Sequence, residues 1–348
     1  MSMRSLLCLF LIACCSCSQP SSPEESEKPI VRAPVKHLQT ATNIEFPLGL
    51  PEFVTPTNNP MTDEKVALGK RLFFDKNLSY DRTVSCASCH DPDQNWGNGE
   101  RLGTGIDGRI GKRNVPTLFN VAYFRQFFWD GRVASLEGQV IFPILHEDEM
   151  GMKSNEAVLE RLYEDPEYHE LFGKAFSDGI SIGNLAKAIA CFERTILSGN
   201  APYDRYMAGD KNAMSEAAIR GLKVFMNRGK CNGCHVPPTF IDFSYYNLGV
   251  GMDKENPDLG RYHVFEMESA KGKFKTPTVR NIAKTGPYMH DGSMKTLEEI
   301  VELYDQGGIR NRYLSQEVRN KLRLTEQEKK DLVTFMVEGL TSDDEVME

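Results

Sequence analysis

The chain has 348 residues, enough for two domains with cores of their own. Its 40% hydrophobic content describes a soluble globular protein, and a net charge of −8 gives no electrostatic ground for binding nucleic acid.

The N-terminal stretch reads as a targeting segment outside the fold. Arg4 precedes the apolar run LLCLFLIA, which has signal-peptide length and is too short for a stable span. LIAC, residues 11 to 14, resembles the bacterial lipobox, which places an acylated mature N-terminus at Cys14. Cys17 is preceded less suitably, by Cys15 and Ser16, and a plain cleaved signal is the alternative. Residues 1–13 are then the signal peptide, and 14–45, rich in Ser, Pro and Glu, a flexible linker from a lipid anchor. This predicts a periplasmic, membrane-anchored lipoprotein.

CASCH follows at residues 86–90. Cys86 and Cys89 can fasten a haem covalently, and His90 can supply one axial ligand to its iron. A glycine- and aspartate-rich loop covers 97–111, a candidate gate. PTLFNVAYFRQFFWDGRVASLE begins at Pro116, and Gln139 and Glu149 lie in EGQVIFPILHEDEMG beyond it. Cys191, in the apolar stretch AIACFERTIL, reads as a buried core thiol. NAPYDRYMAGD, around 200–210, marks a crossing between a domain at 46–200 and one at 201–348.

CNGCH at 231–235 repeats the first motif with Cys231, Cys234 and His235. One CxxC also suits zinc or disulfide exchange, but two copies each followed by His point to two covalent haems. A second long loop covers 249–260. PTVRNIAKTGPYMHDGSMKTLE, from Pro277, aligns without a gap on the stretch from Pro116, and GLKVFM before the second haem motif resembles GKRLFF before the first. An internal duplication explains this pattern. Thr296-x-x-Glu299 and Thr325-x-x-Glu328 predict capping boxes. The first helix carries Leu297, Ile300, Val301 and Tyr304 on one face and stops at Gly307-Gly308; the second faces Leu332, Phe335 and Met336 inward. Strand-like alternation is scarce, so the fold class is all-α: two cytochrome c-like haem domains related by duplication, with the haems near their interface.

The copies are chemically unequal. Trp129 stands where the second copy has His290, Gln139 where it has Ile300, Glu149 where it has Arg310, and Pro143 where it has Tyr304. In isolation Glu149 reads as a solvated loop acid and Trp129 as core.

Both CxxCH sites, RNVPT, FFWDGR, the Gln139–Glu149 spacing and GPYMHDG carry a family resemblance over roughly residues 46–340. The chain resembles the bacterial dihaem cytochrome c peroxidases and their relatives in the MauG family. That resemblance implies that peroxide reacts at the haem of His90 and that the haem of His235 passes electrons inward. It implies Glu149 as the catalytic carboxylate that accepts and returns the peroxide proton. Gln139 becomes the amide that orients peroxide, and Trp129 an aromatic relay between the haems. It further implies a calcium ion between the domains, held by Asn114 and the carbonyls of Thr285 and Pro287.

Two positions depart from the peroxidase pattern. Where many of these enzymes block the resting peroxide-reactive iron with a loop histidine, this chain has Ile106, and no histidine lies between Asp91 and Asn114. The expectation is an open or water-bound iron at His90. Where the electron-accepting haem generally has methionine, this chain has Tyr304, as MauG-like enzymes do; Met289 and Met294 are the alternatives. The leading function is therefore reduction of hydrogen peroxide to water, with electrons from a small donor such as cytochrome c or a copper protein. A MauG-like oxidase of a protein or other exported substrate is the second reading, and a non-enzymatic dihaem carrier the third. A homodimer is left open.

Overall fold

The computed structural model describes residues 44–342. The signal peptide, Cys14 and nearly all of the linker lie outside the described residues.

Helices carry the chain: α1 (Asp63–Phe73), α2 (Cys86–Cys89), α3 (Leu136–Leu145), α4 (Asn155–Glu164), α5 (Pro166–Ala175), α6 (Ile182–Glu193), α7 (Pro202–Met207), α8 (Glu216–Met226), α9 (Tyr262–Phe265), α10 (Leu297–Asp305) and α11 (Glu326–Thr334). The departure from an all-α expectation is a two-residue ribbon. β1 (Tyr245–Tyr246) runs antiparallel to β2 (Phe274–Lys275), with Tyr245 opposite Lys275. The stretch around 200–210 is less a bare crossing than a short helix, α7, whose Tyr203 packs into the second apolar core. Among the described residues no helix is long and apolar enough to cross a membrane.

The helices start where side chains can satisfy their first amides. Ser135, Ser181 and Ser215 accept from the backbone of Gly138, Asn184 and Ala218, and both capping boxes, Thr296–Glu299 and Thr325–Glu328, form. α10 ends at Asp305, where Gly307 and Gly308 take left-handed conformations with φ of 83° and 70°.

Two helix pairs anchor two apolar cores, and Cys191 is fully buried in α6. α1 lies on α6 so closely at Gly69 that a Cβ there would sit 2.0 Å from Ala188 O. α8 lies on α11 in the same way, a Cβ at Gly221 falling 1.9 Å from Asp331 O. Each pair builds an aromatic triangle. Phe73, Trp96 and Phe192 have ring centroids 5.2 to 6.0 Å apart, and Phe225 stands 5.8 Å from Phe240 and 5.4 Å from Phe335.

The same backbone geometry also occurs twice around the two PT segments. Asn120 and Asn281 are left-handed, with φ of 61° and 57°, a region asparagine tolerates better than most residues. The Asn120 amide donates to Ile196 O at 2.9 Å while its Oδ1 receives Ser198 N–H; Asn281 donates to Leu340 O at 2.8 Å while its Oδ1 receives Ser342 N–H. Backbone bridges join Phe127 to Val133 and Tyr288 to Met294. Each segment receives an arginine from the other half of the chain: Arg101 Nε donates to Asp291 O at 3.1 Å, and Arg261 Nη1 to Asp130 O at 2.8 Å. Behind them, Arg280 and Asp204 form a fully buried two-point ion pair at 2.8 Å.

Candidate active site

A cavity of about 1370 Å³ reaches His90 and Cys89 at one end and Cys231, Cys234 and His235 at the other. It exceeds the roughly 300–1,000 Å³ of an ordinary single-ligand site. Each imidazole is fixed through Nδ1. His90 Nδ1 lies 3.1 Å from Trp96 O, and His235 Nδ1 lies 3.2 Å from Phe240 O and 3.1 Å from Pro277 O. A carbonyl can only accept, so Nδ1 carries the proton and Nε2 keeps a free lone pair. Burial also pushes the His90 pKa down to about 4 and lowers that of His235, keeping both rings neutral. Trp96 and Phe240 are members of the aromatic triangles and both are left-handed, with φ of 60° and 58°. The core thus aims the carbonyls that aim the ligands.

At the His90 end, α3 presents Leu136, Gln139 and Pro143 to the cavity, followed by His146 and Glu149 in the turn beyond. Burial pushes the Cys86 and Cys89 thiols up, and Glu149 lies near enough to add to the effect. Its own carboxyl is held above the ordinary range by burial, with His146 and Arg132 opposing and Asp148 adding. Its Oε1 is 3.8 Å from His146 Nδ1, which accepts the Asp148 amide at 3.2 Å. The 97–111 loop grips the Glu149 backbone from behind. Gly105 permits this approach, since a Cβ there would lie 2.2 Å from Asp148 O, and Ile106 N–H donates to Glu149 O at 2.9 Å. Ile106 itself is 2% exposed and packs towards Gly151, outside the cavity lining.

At the His235 end, α10 presents Ile300, Val301 and Tyr304. The Tyr304 hydroxyl meets no hydrogen-bonding protein group among the described residues, and burial, reinforced by Cys234 and Cys231, raises its pKa. Met289 also lines the cavity, whereas Met294 does not. Trp129 lines the cavity, its Nε1 donating to Asn114 O at 2.8 Å and its carbonyl receiving Lys275 N–H at 2.8 Å. His290, its counterpart, stacks on Phe274 at 3.6 Å. Asn114, Thr285 and Pro287 line the same cavity. The cavity therefore gathers the candidates named from the sequence within the described residues, apart from Cys86 and the alternative ligand Met294, which are outside the lining.

Some participants escaped the sequence reading. Backbone carbonyls of Trp96, Phe240 and Pro277 orient the histidines, and His146 and Arg132 set the charge around Glu149. The repeated PT pair was visible, but a backbone carbonyl acceptor carries no side-chain signature.

The donor set fits c-type haem better than the alternatives. Burial pushes all four motif thiols up, Cys89 to about 11 and Cys231 to about 12, opposite to the depressed thiolates of exchange dithiols. Among the described residues no three His, Cys, Asp or Glu side chains converge as a metal site, so zinc finds no ligand set. Two neutral, carbonyl-braced imidazoles, each following a thiol pair and facing one oversized cavity, suit two haems.

Residues 63–212 match the family model for di-haem cytochrome c peroxidase. The chain is 40% identical over 285 residues to the methylamine utilization protein MauG of Methylorubrum extorquens, covering 81% of this chain and 79% of that one. It is 38% identical over 339 residues to the cytochrome-c peroxidase IdrP1 of Denitromonas iodatirespirans, covering 86% and 89%. The crystal structure of a MauG-like protein associated with microbial copper homeostasis superposes with a TM-score of 0.80 at 30% identity, covering 88% of this chain and 97% of that one. The chain belongs to the di-haem cytochrome c peroxidase and MauG family, and is an oxidoreductase that carries two c-type haems.

Proposed function

We propose that the protein reduces hydrogen peroxide to water at the His90 end, drawing electrons from an external donor protein through the His235 end. The observation that carries this reading is the unequal wall: Gln139 and Glu149 line the cavity near the first thiol pair, where the second copy has Ile300 and Arg310. When bound, the haem iron supplies the peroxide-binding and electron-transfer chemistry. The chain supplies proton handling and orientation. Glu149, poised by burial, takes a proton from one peroxide oxygen and returns it to the other as the O–O bond breaks. Gln139 offers an amide to orient peroxide and the departing water. Two protons and two electrons convert one peroxide to two waters, and Trp129, in the cavity lining, suits electron passage. Ile106, turned away towards Gly151, leaves the His90 end open. Rapid mixing of the resting, fully oxidised holoenzyme with peroxide, then turnover with reduced cytochrome c, tests the proposal. Reaction without prior reduction is expected; an inert resting enzyme overturns it.

A second reading, oxidation of a protein or other exported substrate, is favoured by Tyr304. A phenolate ligand stabilises ferric iron and disfavours accepting electrons from a mild donor. Fast peroxide reaction without cytochrome c turnover would select it.

The paired geometry further supports an internal duplication with haem domains at 46–200 and 201–348 and the haems near their interface. Among the described residues Asn114 Oδ1 accepts no hydrogen bond while its Nδ2 donates to Glu100 O and Arg101 O, and the Thr285 and Pro287 carbonyls accept no backbone hydrogen bond. These oxygens suit a calcium ion. Acylation at Cys14 would tether the enzyme in the periplasm.

A further inference from the structure

The cavity wall contains two equivalent hydrogen bonds. Asn114 N–H donates to His290 O at 2.8 Å, and Lys275 N–H donates to Trp129 O at 2.8 Å. The interval from Asn114 to Lys275 is the one that separates Trp129 from His290 and Pro116 from Pro277, so each bond is the counterpart of the other. The same interval relates Thr285 to Phe124 and Pro287 to Gln126. Like the Thr285 and Pro287 carbonyls, those of Phe124 and Gln126 accept no backbone hydrogen bond among the described residues. The candidate calcium position beside Asn114 therefore has a counterpart across the wall, and the residue standing in it is a lysine.

Lys275 is out of balance with its surroundings. Its Nζ lies 3.8 Å from the Phe124 ring centroid and has no carboxylate or hydrogen-bond partner among the described residues. Burial pushes its pKa down to about 8. Three other cations that line the cavity are matched: Arg113 to Asp130 and Asp258 at 2.6 and 2.7 Å, Arg132 to Asp130 at 3.0 Å, and Lys254 to Asp291 at 2.9 Å, while Lys112 and Lys230 are exposed to solvent. A ring face offsets only part of the cost of desolvating an ammonium. The holoenzyme brings the missing anions, because each haem carries propionate carboxylates into this cavity.

We infer that Lys275 is a built-in cation, its ammonium standing at the counterpart of the Asn114 site and compensating a haem propionate. The equivalence rests on the calcium reading above; the charge compensation does not. The protein would then need an ion on one side of the wall only.

Redox titration of both haems in the holoenzyme, together with calcium analysis, tests this. Lys275→Met should shift one haem's midpoint potential negative, because a nearby positive charge favours the reduced iron. Lys275→Arg should restore it. Unchanged potentials in Lys275→Met, or an equal negative shift in Lys275→Arg, overturn the charge role. Lys275→Asn should bind one calcium more than wild type and recover its potential when calcium is added. No added calcium in that variant overturns the equivalence of the two positions. Absence of calcium from wild type removes the Asn114 reading, while the Met and Arg variants still decide the charge role.

Discussion

Glu149→Gln isolates proton handling from shape. The amide keeps the size of the side chain and its place in the turn, where Ile106 N–H and the Gly105 contact hold the backbone. It cannot accept and return a proton. Positioned acid–base groups contribute about 10²–10⁴-fold, so the peroxide reaction should slow by that factor, or about 3–5 kcal/mol of barrier. The pH profile gives a finer test. Glu149 works as an acceptor only when ionised, and burial raises its pKa, so the wild-type rate should fall as pH drops through that raised value. Arg132→Gln removes an opposing positive charge and should move the acid limb to higher pH; Asp148→Asn removes a carboxylate and should move it lower. Stopped-flow mixing of resting enzyme with peroxide across pH measures all of these. A Glu149→Gln rate within about threefold of wild type, or an acid limb that persists in that variant, would refute Glu149 as the proton acceptor.

Tyr304→Phe should change the spectrum of the His235 haem and leave that of the His90 haem intact; an unchanged spectrum refutes ligation and turns attention to Met289. Asp204→Ala strands the buried Arg280 guanidinium and should cost roughly 3–5 kcal/mol in chemical denaturation; a loss below about 1 kcal/mol would mean the pair is solvated. Glu193 is a buried carboxyl in α6 whose Oε2 meets no hydrogen-bond partner among the described residues, and burial raises its pKa to about 8. The folded state therefore holds a proton the unfolded state has released between the ordinary carboxylate range and about 8, and stability falls as pH rises through that window. Glu193→Gln should be more stable than wild type at pH about 8 by roughly 2–4 kcal/mol, with the advantage vanishing near pH about 4; a pH-independent difference would refute this.

What was legible in the sequence is local or repeated. Two thiol–thiol–imidazole motifs, two capping boxes and an ungapped twenty-two-residue match need no knowledge of long-range contacts; both capping boxes form as the pattern implies, and five of the six motif residues line the cavity. The contrasts at 129/290, 139/300 and 143/304 were legible for the same reason, and all six side chains line the cavity. Arg310, the counterpart of Glu149, does not line it, because the second copy's chain turns away at Gly307-Gly308. Other parts were hidden for physical reasons. His146 sits in HEDEM among acids and reads as surface until its 3.8 Å approach to Glu149 is seen. Lys275, in KGKFK, looks like one of several solvated lysines until its ammonium is found over Phe124. The Arg280–Asp204 pair joins residues 76 apart, with nothing in either neighbourhood to announce it.

The near-equality of the two ends makes the differences informative about direction. Both histidines are braced by the carbonyl of a left-handed aromatic, and both braces rest on an aromatic triangle, so the supporting scaffold does little to distinguish one iron from the other. The distinction must come from what each end of the cavity places in its lining. Pro143 has no atom that can ligate iron, whereas its counterpart Tyr304 offers a hydroxyl with no protein partner among the described residues. Burial raises the Tyr304 pKa, so the phenolate is disfavoured unless a positive charge stands against the oxygen. A ferric iron is such a charge, and reducing it weakens the attraction. Ligation by Tyr304 and oxidation of the His235 haem would therefore favour each other, while a haem at His90, with Pro143, Gln139 and Glu149 in the cavity lining, would be left without a protein ligand of that kind. On this argument Tyr304→Met should favour reduction of the His235 haem without opening or closing the other, moving the enzyme towards cytochrome c-driven turnover.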